Sequence, residues 1–405
     1  MQVKHPEPGA LNLCCFPAAV NTVSYLISTI TRETFTMSSS FRSNMSRREL
    51  LKYSGAFGVL AATGGISRFA GADDVLKVGI AYVSPMADIG WTKQHSLGGE
   101  AIREALGDRV EVSELDNLWD PQATEKVFTD FARSGAKLIF GTSFSHSTPI
   151  QKVAPRFPNV AFEHCSGLKH FPNLGTFEAK YYEGTYLAGI ASGVMTKSKK
   201  IGFIGGYPIP DIVGPGNALL LGAQSVDPGI TCSVIFLNSW YDPAKEKEAT
   251  AALIAQGCDV ICSMTDTATG VQVAEENGAW SVGYASDMSP FGPKGQLTSF
   301  MLNWNSVYVG AAKSVVAGTW KSEVRWQGLK EGVIEMAPYN TAIPKSDIEQ
   351  INKVADGIVS GAVHPYAGEI RDQDGKIRVA SGAVMPDGEI RGFNWFVEGM
   401  IGSMG

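Results

Sequence analysis

The sequence predicts an α/β protein with two doubly wound lobes and a cleft between them. Three observations support this prediction. The chain of 405 residues, 44% of them hydrophobic, is long enough for two domains with buried cores. Apolar runs of strand length alternate with segments of helical periodicity. One helix-and-strand pattern also occurs twice along the chain, which indicates two similar halves.

Residues 1–72 are predicted to be an export signal and the segment before it, outside the fold. Arg47 and Arg48 form a twin-arginine pattern, and a Gly- and Ala-rich apolar run follows from Tyr53 to Ile66. The small residues of Ala70–Ala72 suit a signal peptidase, so the mature protein would begin directly after them. A membrane anchor is the disfavoured alternative, because the run is short and Gly-rich for a hydrocarbon layer of ~30 Å. We expect a periplasmic location, reached by the twin-arginine route.

The first strand and helix of the fold are predicted at Val75–Val83 and Gln94–Leu106. A strand, a loop and a helix in this order begin a parallel α/β sheet. In such sheets ligands bind at the carboxyl ends of the strands. The loop 84–91 is therefore a candidate site before any motif is considered.

The repeated pattern covers Trp119–Phe144 and Trp240–Asp266. In each copy an Asp-Pro pair supplies a helix N-cap and a first-turn proline. A glycine at the same distance beyond each pair ends the helix before a strand. The alternative, that two unrelated units share ordinary capping signals, stays open. If the halves are related, the loops 142–147 and 264–269 occupy equivalent strand ends.

Composition and motifs argue against nucleic-acid binding and against catalysis. The net charge of −6 comes without clustered basic residues, so a phosphate-binding surface is not expected. The Gly-x-Gly pattern at 214–216 lacks a third glycine, since Leu219 stands there, and no Gly-Lys-Ser/Thr phosphate loop occurs. No Gly-x-Ser-x-Gly nucleophile motif is present, and His146 and His164 have no metal-binding spacing. We predict no cofactor, no metal site and no enzymatic activity.

The cysteines beyond the export signal are predicted to be buried free thiols. Cys258 and Cys262 lie in one predicted strand, where their spacing places them ~13 Å apart, beyond the reach of a disulfide. No histidine lies beside them, so they do not resemble a zinc site either. The full set is Cys165, Cys232, Cys258 and Cys262.

Aromatic rings and carboxylates gather on the predicted strand-end loops. A planar heterocycle needs ring faces to stack on and hydrogen-bonding groups at its edge, and these residue types supply both. Ordinary packing is the alternative for Trp91 and Phe144, and helix capping or turn formation is the alternative for Asp266 and Asp287. The predicted ligand-binding residues are Asp88, Trp91, Gln94, Phe144, Asn217, Trp240, Asp266 and Asp287.

Four stretches give the chain a resemblance that covers about 75–402. They are GIAYVSPMADIGWTKQHSLG, TKSKKIGFIGGYPIP, NSWYDPAKEKEA and GYASDMSPFGP. These stretches resemble the basic membrane protein family of transporter-associated binding proteins, of the purine nucleoside receptor type. The resemblance implies a type I periplasmic-binding-protein fold, with two lobes joined by three crossovers and a purine held between aromatic rings.

The resemblance implies a purine base or a related nucleoside as ligand, and the departures from the family pattern favour the base. Trp91 stands where the family has a stacking Phe, and Asp88 stands at the acidic start of the same loop. Ala285 and Leu302 replace an Asp and a Lys that contact ribose in the family, whereas Asp287 is retained. These changes remove polar groups that would hold a sugar, so they favour a free base such as adenine.

The resemblance also guides the division into lobes and the expected partners. We assign 73–197 and 297–323 to the first lobe and 198–296 and 324–405 to the second, with the polar stretch 196–200 as a connection. The expected function is that of a periplasmic solute-binding protein of an ABC-type importer. Such a monomer closes on a small-molecule ligand and delivers it to a membrane permease. A sensory receptor for the same ligands and an exported nucleoside-processing enzyme are the alternatives.

Overall fold

The computed structural model describes residues 75–404, so the predicted export signal lies outside the described residues. The strands are β1 Leu76–Ala81, β2 Val110–Leu115, β3 Leu138–Gly141, β4 Ala161–Cys165, β5 Leu174–Ala179, β6 Lys200–Gly205, β7 Thr231–Phe236, β8 Val260–Met264, β9 Trp280–Ala285, β10 Gln296–Leu302, β11 Val324–Gln327, β12 Ile334–Met336, β13 Ile370–Arg371, β14 Ile377–Val379 and β15 Met400–Ile401. The α-helices are α1 Gly90–Leu106, α2 Pro121–Arg133, α3 Ser147–Val153, α4 Tyr181–Met195, α5 Pro210–Gln224, α6 Pro243–Ala255, α7 Thr269–Glu276, α8 Asn305–Val316, α9 Lys345–Ser360 and α10 Asp387–Ile390.

Two sheets with the same core strand order form the two lobes. The first sheet has the order β2-β1-β3-β4-β5-β11, and all of its pairings are parallel. The second has the order β15-β7-β6-β8-β9-β10-β12, in which only β12 is antiparallel to its neighbour. Strands such as β3 and β8 are buried along their whole length, because helices cover both faces of a parallel sheet. The predicted doubly wound α/β fold is confirmed.

The repeated helices α2 and α6 occupy equivalent places in the two lobes. The carboxylate of Asp120 accepts the N–H of the third helical residue of α2 at 2.8 Å, and that of Asp242 does the same in α6 at 3.0 Å. Gly135 and Gly257 follow the two helices, with φ of 96° and 91°. Each helix then leads into the strand next to the first strand of its sheet. The predicted internal repeat is therefore present in the structure.

The chain crosses between the two sheets three times, after β5, after β10 and after β11. Helix α4 follows β5 but packs against α5, so closely that a Cβ at Gly189 would lie 2.1 Å from the carbonyl oxygen of Leu219. Helix α8 follows β10 and returns to the first lobe. There Tyr308 stacks on Phe140 of β3, with ring centroids 4.0 Å apart. Each of these helices thus belongs to the lobe opposite its preceding strand.

These exchanges correct the predicted lobe boundaries. Because α4 packs on the second lobe, the first crossing lies at Lys180, and the stretch 196–200 is only the turn between α4 and β6. Strand β10 pairs with β9, so the return to the first lobe comes after Leu302 rather than at 297. Strand β11 pairs with β5, so the segment from 324 to 327 belongs to the first sheet. Strand and helix patterns do not show which sheet an element joins, and this explains the displaced boundaries.

The C-terminal segment completes the second lobe. Strand β15 pairs with β7. Asn217 of α5, which is fully buried, holds the chain leading to β15: its amide donates to the carbonyl of Trp395 at 3.0 Å, and its carbonyl accepts the N–H of Val397 at 3.1 Å. Asn217 is therefore a core residue, and the prediction that it binds ligand does not match its position.

The described cysteines are all buried and unpaired, as predicted. Burial raises the pKa of the Cys262 thiol, which keeps it protonated and unreactive. Within residues 75–404, no helix is long and apolar enough to cross a bilayer.

Candidate ligand-binding site

A cavity lies between the lobes, at the carboxyl ends of both parallel sheets. Parallel α/β sheets bind ligands at this edge. The first lobe contributes Val83, Ser84, Trp91, Ser143, Phe144 and Ser166 to the wall. The helix that follows the first crossing and the second lobe contribute Tyr181, Ile209, Asp211, Ile212, Trp240, Met264, Thr265, Asp266 and Tyr284. Aromatic rings from both lobes therefore face one shared space.

Trp91 lies in the first turn of α1, and its ring is held on several sides. Its Nε1–H donates to the carbonyl of Thr142 at 2.8 Å. One side of the ring meets the edges of His95 and Trp304, with centroid distances of 4.7 and 6.1 Å. Tyr284 of the second lobe lies nearly parallel to Trp91, at 6.3 Å and 25°. Because packing and a hydrogen bond fix its orientation, Trp91 is a rigid part of the cavity wall.

Trp240 supplies the corresponding large ring from the second lobe. Its Nε1–H donates to Ser145 Oγ of the first lobe at 3.1 Å. Tyr207 packs edge-on against it at 4.9 Å. Phe144, which follows β3, lines the same cavity. Three of the predicted binding residues thus form aromatic surfaces around the space between the lobes.

Asp266 lines the cavity, but its carboxylate is directed at the first lobe. The hydroxyl of Thr92 donates to Oδ2 at 2.9 Å, and the N–H of Thr92 lies 3.3 Å from the same oxygen. Burial raises the pKa of Asp266 to about 6, although these hydrogen bonds oppose the shift. Asp266 therefore links the lobes, which the sequence did not reveal.

Ser286 makes a second link between the lobes. Its hydroxyl accepts the N–H of Gly90 at 2.9 Å and the side-chain amide of Gln94 at 2.8 Å. Gln94, predicted to bind ligand, is outside the cavity wall because its amide is taken up by this contact. Contacts of Ser286 and Asp266 with α1 hold the described lobes close together.

Two predicted acidic residues also lie outside the cavity wall. Asp88 is exposed and borders a surface depression beside Lys93. Asp287 is exposed as well, and its Oδ1 accepts the N–H of Ser289 at 2.9 Å. This hydrogen bond forms a turn, which was the alternative to ligand binding for Asp287. Both residues are on the predicted strand-end loops, but their side chains point away from the cavity because loop position does not fix side-chain direction.

Sequence reasoning missed several polar residues of the wall, of which Asp211 and Tyr181 have the clearest chemistry. Asp211 lies in the first turn of α5, where a helix N-terminus favours a carboxylate. Its buried Oδ2 and the buried hydroxyl of Tyr181 have no hydrogen-bond partner among the described residues. Asp211 directly follows the β6 strand-end loop, so the strand-end rule could have found it. Tyr181 lies at a crossing between lobes, which no local sequence pattern indicates.

The histidines near the site hold the loop after β3 in place. His146 Nδ1 accepts the N–H of Thr142 at 3.1 Å, so its Nε2–H donates to the carbonyl of Leu118 at 2.8 Å. Burial lowers the pKa of His146 to about 3 and that of His164 to about 4. Both rings are therefore neutral structural groups. Within residues 75–404, no cluster of three or more His, Cys, Asp or Glu side chains could hold a metal ion.

Comparisons with known proteins agree with this architecture. A sequence model of the Bmp family, described as ABC transporter substrate-binding protein PnrA-like, matches residues 75–367. A purine-binding protein of Brucella abortus (strain 2308) is 42% identical over 330 residues, covering 81% of this chain and 94% of the relative. A Haloferax volcanii protein, provisionally named as a glucose-binding protein of an ABC transporter, is 33% identical over 71% of this chain and 73% of its own length. A solved ABC transporter solute-binding protein of Aeropyrum pernix K1 matches with a TM-score of 0.62 at 20% identity, over 71% of this chain and 92% of that chain.

Two lobes of this topology, closed over a cavity at their strand ends, define a binding protein of the type I periplasmic fold. The chain belongs to the Bmp family of PnrA-like ABC transporter substrate-binding proteins. It is accordingly an exported solute-binding protein that takes up a small molecule and interacts with a membrane permease. Its family and these relatives are binding proteins rather than enzymes, which confirms the prediction of no enzymatic activity.

Proposed function

We propose that this protein binds a purine base in the cavity between its lobes and delivers it to the permease of an ABC importer. The observation that carries the proposal is the cavity wall of Trp91, Trp240 and Tyr284, with rings from both lobes. A planar heterocycle gains most from such faces, and base–aromatic stacking is worth about 1–3 kcal/mol per base. The purine-binding relative in Brucella abortus supports the same ligand class.

Asp211 and Tyr181 supply polar groups for the edge of the base. A carboxylate oxygen only accepts hydrogen bonds, whereas a phenolic hydroxyl can donate or accept. The unpartnered Oδ2 of Asp211 therefore suits a ring or amino N–H of the ligand. Such a contact would also relieve the cost of a buried, unpaired acceptor.

The proposal favours the free base over its nucleoside. Ala285 and Leu302, at the positions where the family resemblance places ribose contacts, are fully buried apolar residues of the main core. Neither side chain can donate to a ribose hydroxyl. A hexose is the second candidate, because the Haloferax volcanii relative is named for glucose. Its many hydroxyls suit this aromatic wall less well than a planar base does.

For the whole protein we propose export by the pair Arg47 and Arg48 to the periplasm, where it acts as a monomer. The twin-arginine pattern and the small residues of Ala70–Ala72 support this route. Changing both arginines to lysine should leave uncleaved precursor in the cytoplasm. Mature periplasmic protein from that variant would disprove the route but would leave the ligand proposal unaffected.

Titration calorimetry of the mature protein tests the ligand proposal. Adenine, hypoxanthine and guanine are compared with adenosine, inosine and glucose. A purine base should bind at least ten-fold more tightly than its nucleoside, and glucose should not bind. Trp91→Ala should weaken binding of the base by about 1–3 kcal/mol, or roughly five- to a hundred-fold, and Trp91→Phe should retain most of it.

Trp280→Ala is the matched control for these titrations. Trp280 begins β9 at the end of the sheet away from the cavity, and it is partly buried. Its truncation should lower the melting temperature without changing affinity. Tighter binding of the nucleoside, or unchanged affinity in Trp91→Ala, would contradict the proposal.

A further inference from the structure

The first turn of α1 obtains its hydrogen bonds from the opposite lobe. The N-cap residue, Ile89, offers no side-chain cap. Helix N-termini leave their first N–H groups unsatisfied, and a nearby Ser, Thr, Asp or Asn usually accepts one of them. Here the N–H of Gly90 donates to Ser286 Oγ at 2.9 Å, and the hydroxyl of Thr92 donates to Asp266 Oδ2 at 2.9 Å. Both acceptors belong to the second lobe.

The backbone on each side accommodates these contacts. Gly90 has a φ of 89°, and a Cβ at this position would lie 2.2 Å from Asp266 Oδ1, so the carboxylate can approach only a glycine. Ala285, directly before Ser286, has a φ of 64°, which an L-residue adopts only at a cost. The glycine leaves room for the carboxylate, and the φ of Ala285 forms a tight turn in which the N–H of Ser286 donates to the carbonyl of Tyr284 at 2.7 Å. Both bring the second lobe against α1.

These contacts surround the main aromatic residue of the cavity wall. Trp91 lies between Gly90 and Thr92, the two residues held from the second lobe. Gln94, one turn further along, also donates to Ser286 Oγ, at 2.8 Å. The position of the indole therefore depends on the second lobe as well as on its own hydrogen bond to Thr142.

The hydrogen bonds of α1 with Asp266 and Ser286 cross from one lobe to the other. Each lobe has its own parallel sheet with helices on its faces, and the α1 contacts join residues more than 170 positions apart in sequence. Opening of the lobes would return the acceptor groups and the α1 N-terminus to water. The energy of these hydrogen bonds therefore acts on the equilibrium between open and closed lobes rather than on the folding of either lobe.

We propose that Asp266 and Ser286 form an interlobe clamp, which caps α1 from the opposite lobe, favours the closed arrangement and positions Trp91 over the cavity. Asp266 is in this account a positioning residue rather than a ligand contact. The clamp acts on closure whatever small molecule fills the cavity, so it does not depend on the ligand being a purine. A helix cap has an energy that would change the closed-to-open ratio by about two- to thirty-fold.

Distance measurement between spin labels on the two lobes tests the clamp. The described native cysteines are buried, so exposed cysteines introduced as Glu104→Cys in α1 and Glu248→Cys in α6 can be labelled selectively in the mature protein. Asp266→Ala and Ser286→Ala are compared in this background. Asp287→Ala is the matched control, since Asp287 neighbours Ser286 but bonds only within its own turn.

Both alanine variants should shift the interlobe distances of the ligand-free protein toward longer values, with the closed-to-open ratio two- to thirty-fold lower, while the control stays unchanged. Asp266→Asn, which keeps an acceptor for Thr92, should retain the wild-type distribution. The indole N–H resonance of Trp91, assigned through Trp91→Phe, should shift or broaden only in the alanine variants. Should Asp266→Ala fail to fold, Ser286→Ala decides, because it removes only one hydroxyl. Distances and indole resonance equal to those of Asp287→Ala would overturn the clamp.

Discussion

The loops after β3 and β8 occupy equivalent places in the internal repeat, yet their buried polar side chains bind different partners. The histidine of the first loop bonds within its own lobe, where it joins the N–H of Thr142 to the carbonyl of Leu118. Ser145 of this loop crosses the cleft only as the acceptor of the Trp240 Nε1–H. The second loop reaches across the cleft, where Asp266 accepts hydrogen bonds from Thr92 of the first lobe. In the aligned repeat, the ring of Phe144 stands where the second lobe has Asp266.

This difference shows how two similar halves can make one asymmetric site. The shared part is the backbone: the Asp-Pro caps, the glycines after the helices and the order of the strands. The divergent part is the side chains at the strand ends, where one lobe offers an aromatic surface and the other a carboxylate. The loop after β8 then acts on closure of the lobes through Asp266. Aromatic contacts with the ligand come from both lobes.

Removal of His146 should give the largest loss of stability. His146→Ala leaves the buried Leu118 carbonyl and a loop N–H without this partner, so we expect a loss of about 3–5 kcal/mol in the free energy of unfolding. His146→Gln can make both hydrogen bonds and should lose much less. Urea unfolding at pH 7.5 measures both values. Equal effects of the two variants would mean that the ring's hydrogen bonds do not hold the first loop.

Asp211, rather than Asp266, should be the carboxylate that contacts a purine. A hydrogen bond to a charged group contributes about 1.5–3 kcal/mol, so Asp211→Asn should weaken binding of adenine by roughly ten- to a hundred-fold. Asp287→Asn, on an exposed turn outside the wall, is the control for loss of one negative charge. Calorimetry measures the affinities. A larger loss in Asp266→Asn than in Asp211→Asn would reverse the assigned roles.

The two loops should respond to pH with opposite signs. Burial lowers the pKa of His146 to about 3. Below a pH of about 6.5 the unfolded chain therefore binds a proton that the folded loop excludes. As the pH falls further, the free energy of unfolding decreases by up to ~1.4 kcal/mol per pH unit. Burial raises the pKa of Asp266 to about 6, so the folded protein protonates this carboxyl at a higher pH than the unfolded chain does. The contribution of Asp266 to the free energy of unfolding therefore rises as the pH falls from 6 toward 3.8.

Unfolding free energies of wild type, His146→Gln and Asp266→Asn between pH 7.5 and 5 separate these contributions. As the pH falls, the free energy of unfolding of His146→Gln should rise relative to that of wild type. That of Asp266→Asn should fall relative to wild type over the same range. Parallel pH profiles for all three proteins would show that neither loop titrates as described.

The smallest effects should come from the repeated helix caps, and they should match in the two lobes. Asp120→Ala and Asp242→Ala each remove one half-buried carboxylate that accepts one N–H, at 2.8 and 3.0 Å. Their melting temperatures should fall by small and similar amounts, without a change in ligand affinity. If only one of these two variants lost affinity for the ligand, the helix caps of the two lobes would have different roles.

Much of this fold could be predicted from the sequence because its signals are local. The caps at Asp120 and Asp242 and the apolar strands require only neighbouring residues to be recognised. The position of the cavity also followed from a general rule for parallel sheets, and the rule correctly placed Trp91, Phe144 and Trp240 on its wall.

The remaining features depend on contacts between distant parts of the chain. The partner of Asp266 lies 174 positions earlier, and the core role of Asn217 depends on a segment 178 positions later. The sheet that β10 or β11 joins is likewise not indicated by a local pattern. Such partners cannot be identified from residue type and spacing, so the sequence does not show that Asp88, Gln94 and Asp287 lie outside the cavity wall.

The molecule that copurifies with the protein distinguishes a purine base from a nucleoside or a hexose. Mature protein purified from the periplasm without added ligand is denatured, and the released small molecules are identified and quantified by mass spectrometry. We predict a free purine base in an amount close to that of the protein, and much less of it from Trp91→Ala. A nucleoside or a hexose released in that amount would contradict the account.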